Sequence, residues 1–265
     1  MSALNPPPRI ADHRVLLVND DGIHAPGLHL LEEVVRGICD DVWVVAPDEE
    51  KSGASHSLSL TVPVRVRRLD DRHFAVKGTP TDCTLLAIWE LMQDARPTVV
   101  LSGINRGANL AEDVTYSGTA AAAMEGALLG VRAIALSQVF TLGGEPHWDT
   151  ARRFARPVLE RLLMCDWEPN SFVNVNFPDV PPEAVAGIRV TEQGWRLPGS
   201  FRPERRIDGR AVPYYWLRMN YQVGDVGPAS DLQAMADRMV SVTPMQLDLT
   251  AHSFRRYLAG EFPAE

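Results

Sequence analysis

The chain reads as an α/β protein: a Rossmann-like, doubly wound, mostly parallel sheet followed by a β-rich C-terminal annex made of an arm hairpin and a tail. Three observations predict it. Short continuous apolar runs, typical of parallel strands buried on both faces, alternate with amphipathic segments as far as about residue 140. Polar or glycine-punctuated loops follow several of those runs. Beyond about residue 170, extended segments succeed one another without helical crossovers.

The elements follow in order. Val15-Leu16-Leu17-Val18 is the first buried strand. Pro26 stands where a helix takes an N1 proline, Leu28, Leu31, Val34 and Val35 form a core-facing stripe, and Gly37 ends the helix. Val42 to Val45 is the second strand and runs into a polar loop from Pro47 to Ser57. Ser59 to Val76 reads as a β-excursion on the alternation of Val62, Val64 and Val66 with charged Arg65, Arg67 and Arg68. A helix over Thr81–Met92, a strand over Thr98–Leu101, a loop from Ser102 to Gly118 and a small-residue helix over Thr119–Leu129 come next. Ala133–Leu136 is a strand and Asp149–Met164 a helix. In the annex, Phe172–Asn176 and Ile188–Thr191 read as strands, Gly199–Tyr215 as an extended arm or hairpin, and Val240–Leu258 as a strand and short helix. The expected organisation is a disordered lead-in over residues 1–13, a catalytic core over 14–170, and an annex over 171–265 that completes the fold and an oligomer interface.

Composition narrows the function. A chain of 265 residues with 45% hydrophobic content buries roughly 70–75% of its unfolded surface, which suits one domain with an appendage or two small ones. The 26 basic against 34 acidic side chains give a net charge of −8, which argues against a nucleic-acid polymer as partner. Small phosphorylated ligands stay open, because a local metal or dipole overrides the global field. No run reaches the roughly 20 apolar residues of a membrane span, and the proline-rich start has no apolar h-region. Cys39, Cys83 and Cys165 lack metal or disulfide spacing, so the expected compartment is the reducing cytoplasm.

The sharpest chemical feature is Asn19-Asp20-Asp21-Gly22, directly after the first strand. In open α/β sheets ligands sit beyond the carboxyl ends of the strands, and two adjacent carboxylates there are costly to desolvate without a cation. A turn with a helix cap also explains Asn, Asp and Gly. Two further loops on the same sheet edge weigh toward the cation: Asp48 to Ser55, with Ser52, and Ser102-Gly103-Ile104-Asn105. Carboxylates, a hydroxyl and an amide are hard oxygen donors, which suit Mg²⁺ or Mn²⁺ rather than zinc. Tyr116-Ser117-Gly118-Thr119 opens the alanine-rich helix, where free N–H groups and the dipole favour an anion, although capping alone also explains the pattern. Asn109 adds a neutral donor on the preceding loop. His24 and His56 lie near the acidic loops, where packing or surface roles compete with substrate contact. The chain has no G-x-S-x-G elbow, no P-loop and no G-x-G-x-x-G after a strand, which disfavours serine hydrolases, P-loop NTPases and Rossmann dehydrogenases.

Taken together and in order, Asn19–Gly27, Ser52–Ser55, Gly78–Cys83, Ser102–Asn105, Tyr116–Thr119, Val242-Thr243-Pro244 and Asp248–His252 resemble the SurE family over essentially residues 14–258. The resemblance implies a metal-dependent phosphatase acting on nucleoside monophosphates, 5′ and also 3′, through a water that attacks a phosphoryl group held by a divalent cation. It implies Asp20, Asp21, Ser52 and Asn105 as ligands of Mg²⁺ or Mn²⁺. It gives Asn105, Asn109, Ser117, Gly118 and Thr119 as the phosphate site, with Asp20, Asp21 and Asn109 as the catalytic set. It further implies a homodimer or homotetramer that exchanges C-terminal elements, with Asp248 and His252 as a tail pair. Short polyphosphate is a further candidate substrate, while Arg65–Arg72 and Arg202–Arg210 read first as solvated hairpin faces. Two departures stand out: Asp48-Glu49-Glu50-Lys51 replaces the family's usual arginines and asparagine, and Arg238-Met239 replaces a usual Gly-Tyr pair. Two alternatives fit less well. A receiver-like, non-enzymatic Mg²⁺-binding signalling module needs a phosphoacceptor aspartate where Ser102–Asn105 stands, and a haloacid-dehalogenase-like phosphatase needs D-x-D.

Overall fold

A computed structural model of the chain describes residues 9–141, 143–199, 201–219, 224 and 226–262. Residues 1–8 of the expected lead-in lie outside the described residues; Ile10–Asp12 forms a 3₁₀ turn and His13 is buried.

Strand β1 (Val15–Val18) is buried at every residue, and its side chains alternate between two apolar layers. Val15 and Leu17 face helices α1 (Pro26–Arg36) and α4 (Trp148–Met164); Leu16 and Val18 face α2 (Pro80–Leu86) and α3 (Gly118–Leu128). Two-sided burial is why the strand reads as an unbroken apolar run. Helix α1 starts on Pro26, buries Leu28, Leu31 and Val35, and ends at Gly37, whose N–H reaches Glu33 O and Val35 O. A capping box, Thr79 with Asp82, opens α2, which continues as a π-helical turn over Ala87–Leu91.

The main sheet has nine strands. Beside β1 lie β2 (Val42–Pro47) and β5 (Val99–Arg106), both parallel to it. Beyond β2 come β4 (His73–Lys77), parallel to β2, and the edge strand β3 (Arg65–Arg68), antiparallel to β4. Beyond β5 come β6 (Arg132–Gln138), β7 (Ser171–Phe177), β11 (Met239–Gln246) and β8 (Gly187–Val190). The order β3-β4-β2-β1-β5-β6-β7-β11-β8 reverses direction at β1, which puts the switch-point crevice at the carboxyl ends of β1 and β5. Strands β9 (Phe201–Ile207) and β10 (Pro213–Met219) form a separate antiparallel hairpin, the arm. Helix α5 (Asp231–Ala236) precedes β11, and α6 (His252–Glu261) follows it.

Three departures from the sequence reading have physical causes. The segment Ser102–Asn105 is strand, not loop: β5 runs on to Arg106 through a register shift against β6 that contains a cis Gly103–Ile104 peptide. Gly27 makes room for it, since a Cβ there would stand 1.8 Å from Ile104 O. Of the Val62–Val64–Val66 alternation only Val64 packs on the core; β3 begins at Arg65, all four of its residues are exposed, and Val62 is 62% exposed. The annex strands β7, β11 and β8 extend the core sheet itself, and α5 was not foreseen. Arg238, where the family's glycine is usual, has φ +55°, the left-handed region that glycine enters without strain. Among the described residues no helix is long and apolar enough to cross a membrane.

Candidate active site

The chain leaves β1 through a tight turn in which Asn19 Nδ2 donates to Gly22 O at 2.8 Å. Strand alternation sends Asp20 to the α3 side, the side that Val18 already faces. There the helix comes unusually close. A Cβ on Gly118 would lie 2.8 Å from Asp20 Cβ and 3.0 Å from Oδ2, so only glycine lets the α3 N-terminus reach the carboxylate. The Thr119 hydroxyl donates to Asp20 Oδ1. Lys51 N–H donates to Asp20 O at 2.7 Å, fastening the 48–57 loop over the turn. Within that loop Ser52 Oγ donates to Glu50 Oε1 at 2.8 Å. Ser55 is fixed to the approach to α3 through its N–H on Tyr116 O and its hydroxyl on Thr115 O.

Asp21 lies beside the end of β5, where Oδ2 accepts the Arg106 N–H at 2.9 Å. Asn105 precedes it and donates Nδ2 to Gly107 O at 3.0 Å, which leaves its side-chain oxygen for a cation. Asn109 is buried and held on all sides. Its Nδ2 donates to Ser137 Oγ, its N–H to Asn176 Oδ1, and its carbonyl accepts from Asn174 Nδ2 and Asn176 Nδ2. Ser117 caps α3 by accepting Ala120 N–H at 2.9 Å.

The electrostatics of the pair are one-sided. Burial pushes Asp20 above the usual carboxylate range, and Glu50 adds to the rise; the Thr119 hydrogen bonds work against it. Asp21 is pushed up to about 6 by burial and by the charge of Asp20, with the Arg106 N–H opposing. Among the described residues no Lys, Arg or His forms an ion pair with Asp20, Asp21 or Glu50, and no group of three His, Cys, Asp or Glu side chains could hold a metal ion. The charge of Arg106 acts on half-buried Asp21, and the two carboxylates, with the Ser52 hydroxyl and the Asn105 amide oxygen in adjacent loops, make a set of oxygen donors of the kind that suits a hard divalent cation. The N-terminus of α3 faces the same point and favours negative charge.

Asp20, Asp21, Asn105, Gly118 and Thr119 meet around the β1 and β5 ends, and Ser52 is on the loop fastened to Asp20. Thr119 is engaged with Asp20 through both its hydroxyl and its backbone N–H. His24 is exposed; His56 Nε2 pairs with Glu125 Oε2 at 2.9 Å instead of facing the carboxylates. Asp248 and His252 do meet, at 3.0 Å. Sequence reasoning missed Asn174, Asn176 and Ser137 as the cradle of Asn109. Asparagines at alternate positions of Val173-Asn174-Val175-Asn176, on one face of a strand end, were the available signal.

Two acidic side chains stand at the switch point of a doubly wound α/β sheet and face a glycine-opened helix N-terminus, the place where open α/β proteins take their ligands. The sequence profile of the family described as Survival protein SurE matches residues 15–199. A protein named 5′-nucleotidase SurE from Methylobacterium sp. (strain 4-46) is 52% identical over 239 residues, spanning 89% of this chain and 94% of that protein. One of the same name from Brucella suis (strain ATCC 23445 / NCTC 10510) is 49% identical over 255 residues, 95% of this chain and 99% of the relative. The crystal structure of the SurE protein from Aquifex aeolicus superposes with a TM-score of 0.80 at 35% identity, covering 93% of this chain and 98% of that one. The chain belongs to the SurE family.

Proposed function

We propose that this chain is a phosphomonoester hydrolase, a 5′-nucleotidase that uses a divalent cation to release phosphate from nucleoside 5′-monophosphates. The observation that carries the reading is the pair of buried Asp20 and half-buried Asp21, both raised above the ordinary carboxylate range, against the N-terminus of α3; the relatives near 50% identity, named 5′-nucleotidase, support the substrate class. Asp20, Asp21, Ser52 and Asn105 would hold Mg²⁺ or Mn²⁺, which supplies a water of lowered pKa and offsets charge on the phosphoryl oxygens. Thr119 orients Asp20 through its hydroxyl, and the Arg106 N–H orients Asp21. Asn109 Nδ2, the Ser117 hydroxyl and the Gly118 N–H receive the phosphoryl oxygens and stabilise the charge that develops on them, while Thr119, expected in that set, is held to Asp20 by its hydroxyl and its N–H and borders the phosphate site.

Nucleoside 3′-monophosphates and short polyphosphate present the same terminal phosphoryl group and belong to the same reading. Residues 14–170 serve as the catalytic core and 171–265 as the annex. Exposed Tyr215, Trp216 and Leu217 on the arm and Phe254 and Tyr257 on α6 support a homodimer or homotetramer that exchanges these elements. Three free cysteines support a cytoplasmic setting.

Phosphate release from a panel of nucleoside 5′- and 3′-monophosphates, with Mn²⁺, Mg²⁺ or EDTA, tests the proposal. The expected result is release from the 5′-esters that EDTA abolishes and added metal restores. Folded protein that releases no phosphate with any metal overturns it.

A further inference from the structure

We propose that Asp231, in the annex and outside every segment assigned to the site, is the positioning residue that holds the Asn109 loop in its working shape by clamping it to the base of the arm. The inference rests on the functional reading above, in which Asn109 donates to the phosphoryl group.

The loop after Asn109 is under local strain. Ala111 has φ +52°, a left-handed conformation that a residue with a Cβ adopts only under constraint. The constraint comes from the annex. Ala111 N–H donates to Asp231 Oδ2 at 2.8 Å, and Ala111 O accepts from Gln193 Nε2 at 3.1 Å. The other carboxylate oxygen, Oδ1, takes Gly194 N–H at 2.9 Å and Leu232 N–H at 2.8 Å. A Cβ on Gly194 would lie 2.8 Å from that oxygen, so the chain is glycine where it wraps the carboxylate. Asp231 is 1% exposed, and three backbone donors converge on it.

The chain order gives this contact its meaning. Gln193 and Gly194 precede the arm and Asp231 follows it, so the carboxylate and Gln193 tie both legs of the arm to a single residue, Ala111, two positions from Asn109. Arg196 reinforces the clamp, its guanidinium meeting Asp113 at 2.9 Å and Glu112 at 3.3 Å on the same loop. On its far side Asn109 is gripped by Asn174, Asn176 and Ser137. The amide is thus set between a core cradle and an annex clamp, and releasing the clamp frees one side only.

All three donors on Asp231 are N–H groups, so the carboxylate is the right acceptor and an amide is not. In Asp231→Asn the new NH₂ faces a donor, either Ala111 N–H or the pair at Gly194 and Leu232. The experiment is a double-mutant cycle with Asn109→Ala, reading kcat and KM for a nucleoside 5′-monophosphate, inhibition by inorganic phosphate, and the thermal shift produced by Mn²⁺. The expected result for D231N is a loss of about 10- to 100-fold in kcat/KM with weaker phosphate inhibition, the Mn²⁺ shift unchanged, and no further loss in the N109A background. Full activity in D231N overturns the proposal. So does a loss that multiplies with that of N109A, or a loss of the Mn²⁺ response, since either marks general loosening. If D231N does not fold, Gln193→Leu removes only the bond to Ala111 O; a smaller loss that vanishes in N109A supports the clamp, and wild-type kinetics overturns it. If wild-type protein releases no phosphate from nucleotides, the functional reading has failed instead. Binding of inorganic phosphate, weaker in D231N or unchanged, then still decides the clamp.

Discussion

Asparagine in place of Asp21 keeps an acceptor for the Arg106 N–H while removing the charge that Asp20 and burial oppose. The rise of this carboxyl from an ordinary 3.8 to about 6 corresponds to roughly 3 kcal/mol, and partial exposure reduces the usable part to about 2 kcal/mol. Because the folded-state value lies above the unfolded one, the protonated group favours folding. That contribution is complete below pH 3.8 and is lost as pH rises through 6. At pH 7.5, metal-free Asp21→Asn is therefore expected to unfold about 4–8 °C above metal-free wild type, and the gap is expected to close near pH 4. Manganese is expected to reverse the ranking, raising the unfolding temperature of wild type at pH 7.5 and having little effect on the variant. The assay is thermal unfolding followed by intrinsic fluorescence, at equal protein concentration with EDTA or Mn²⁺ across pH 4–8. A metal-free variant no more stable than wild type at pH 7.5 would refute the claim that burial and the charge of Asp20 outweigh the groups that favour an ionised Asp21. A variant that keeps the full Mn²⁺ shift would refute Asp21 as a ligand.

Two further substitutions test close geometry. Gly118→Ala places a Cβ 2.8 Å from Asp20 Cβ, so it is expected to lower kcat about 10- to 100-fold while leaving the far-UV circular dichroism of the wild type; unchanged turnover would show that the approach of α3 to Asp20 is not needed. Arg238→Gly relieves a left-handed φ of +55° at an exposed side chain, and is expected to raise the urea midpoint by an amount worth up to about 1 kcal/mol. A lower midpoint would mean that the arginine side chain contributes more than its backbone strain removes.

Where a residue's neighbours in sequence determine its surroundings, the fold was legible. Four apolar residues in a row gave β1 because both faces of that strand are covered, and Pro26 and Gly37 bracket α1 because a helix's ends depend on local chemistry. The place of Asp20 and Asp21 in the crevice at the sheet's switch point was legible because they directly follow a buried strand. What failed to show were contacts made across the chain. Ser102–Asn105 looked like a loop on its glycine and serine, yet pairing with β6 and the opening left by Gly27 carry it on as strand. Asn174 and Asn176 looked like polar interruptions in a strand and act as a cradle 65 and 67 residues from their partner, Asn109. Asp231 lies 120 residues from Ala111, and no local pattern connects them.

The strand order also carries a consequence for synthesis. Strand β8 is made before β11 and, among the described residues, pairs in the sheet with β11 alone, while β11 joins β7 on its other side. During vectorial synthesis β7 therefore emerges with an open edge, and β8 waits unpaired while the whole arm is made. Only when residues 239–246 have left the ribosome is the gap between β7 and β8 filled. The nascent chain thus carries an unsatisfied sheet edge next to the cradle of Asn109 for the time it takes to make some sixty residues. This is the interval in which a chaperone, or an emerging sister chain with the same missing strand, has access to it.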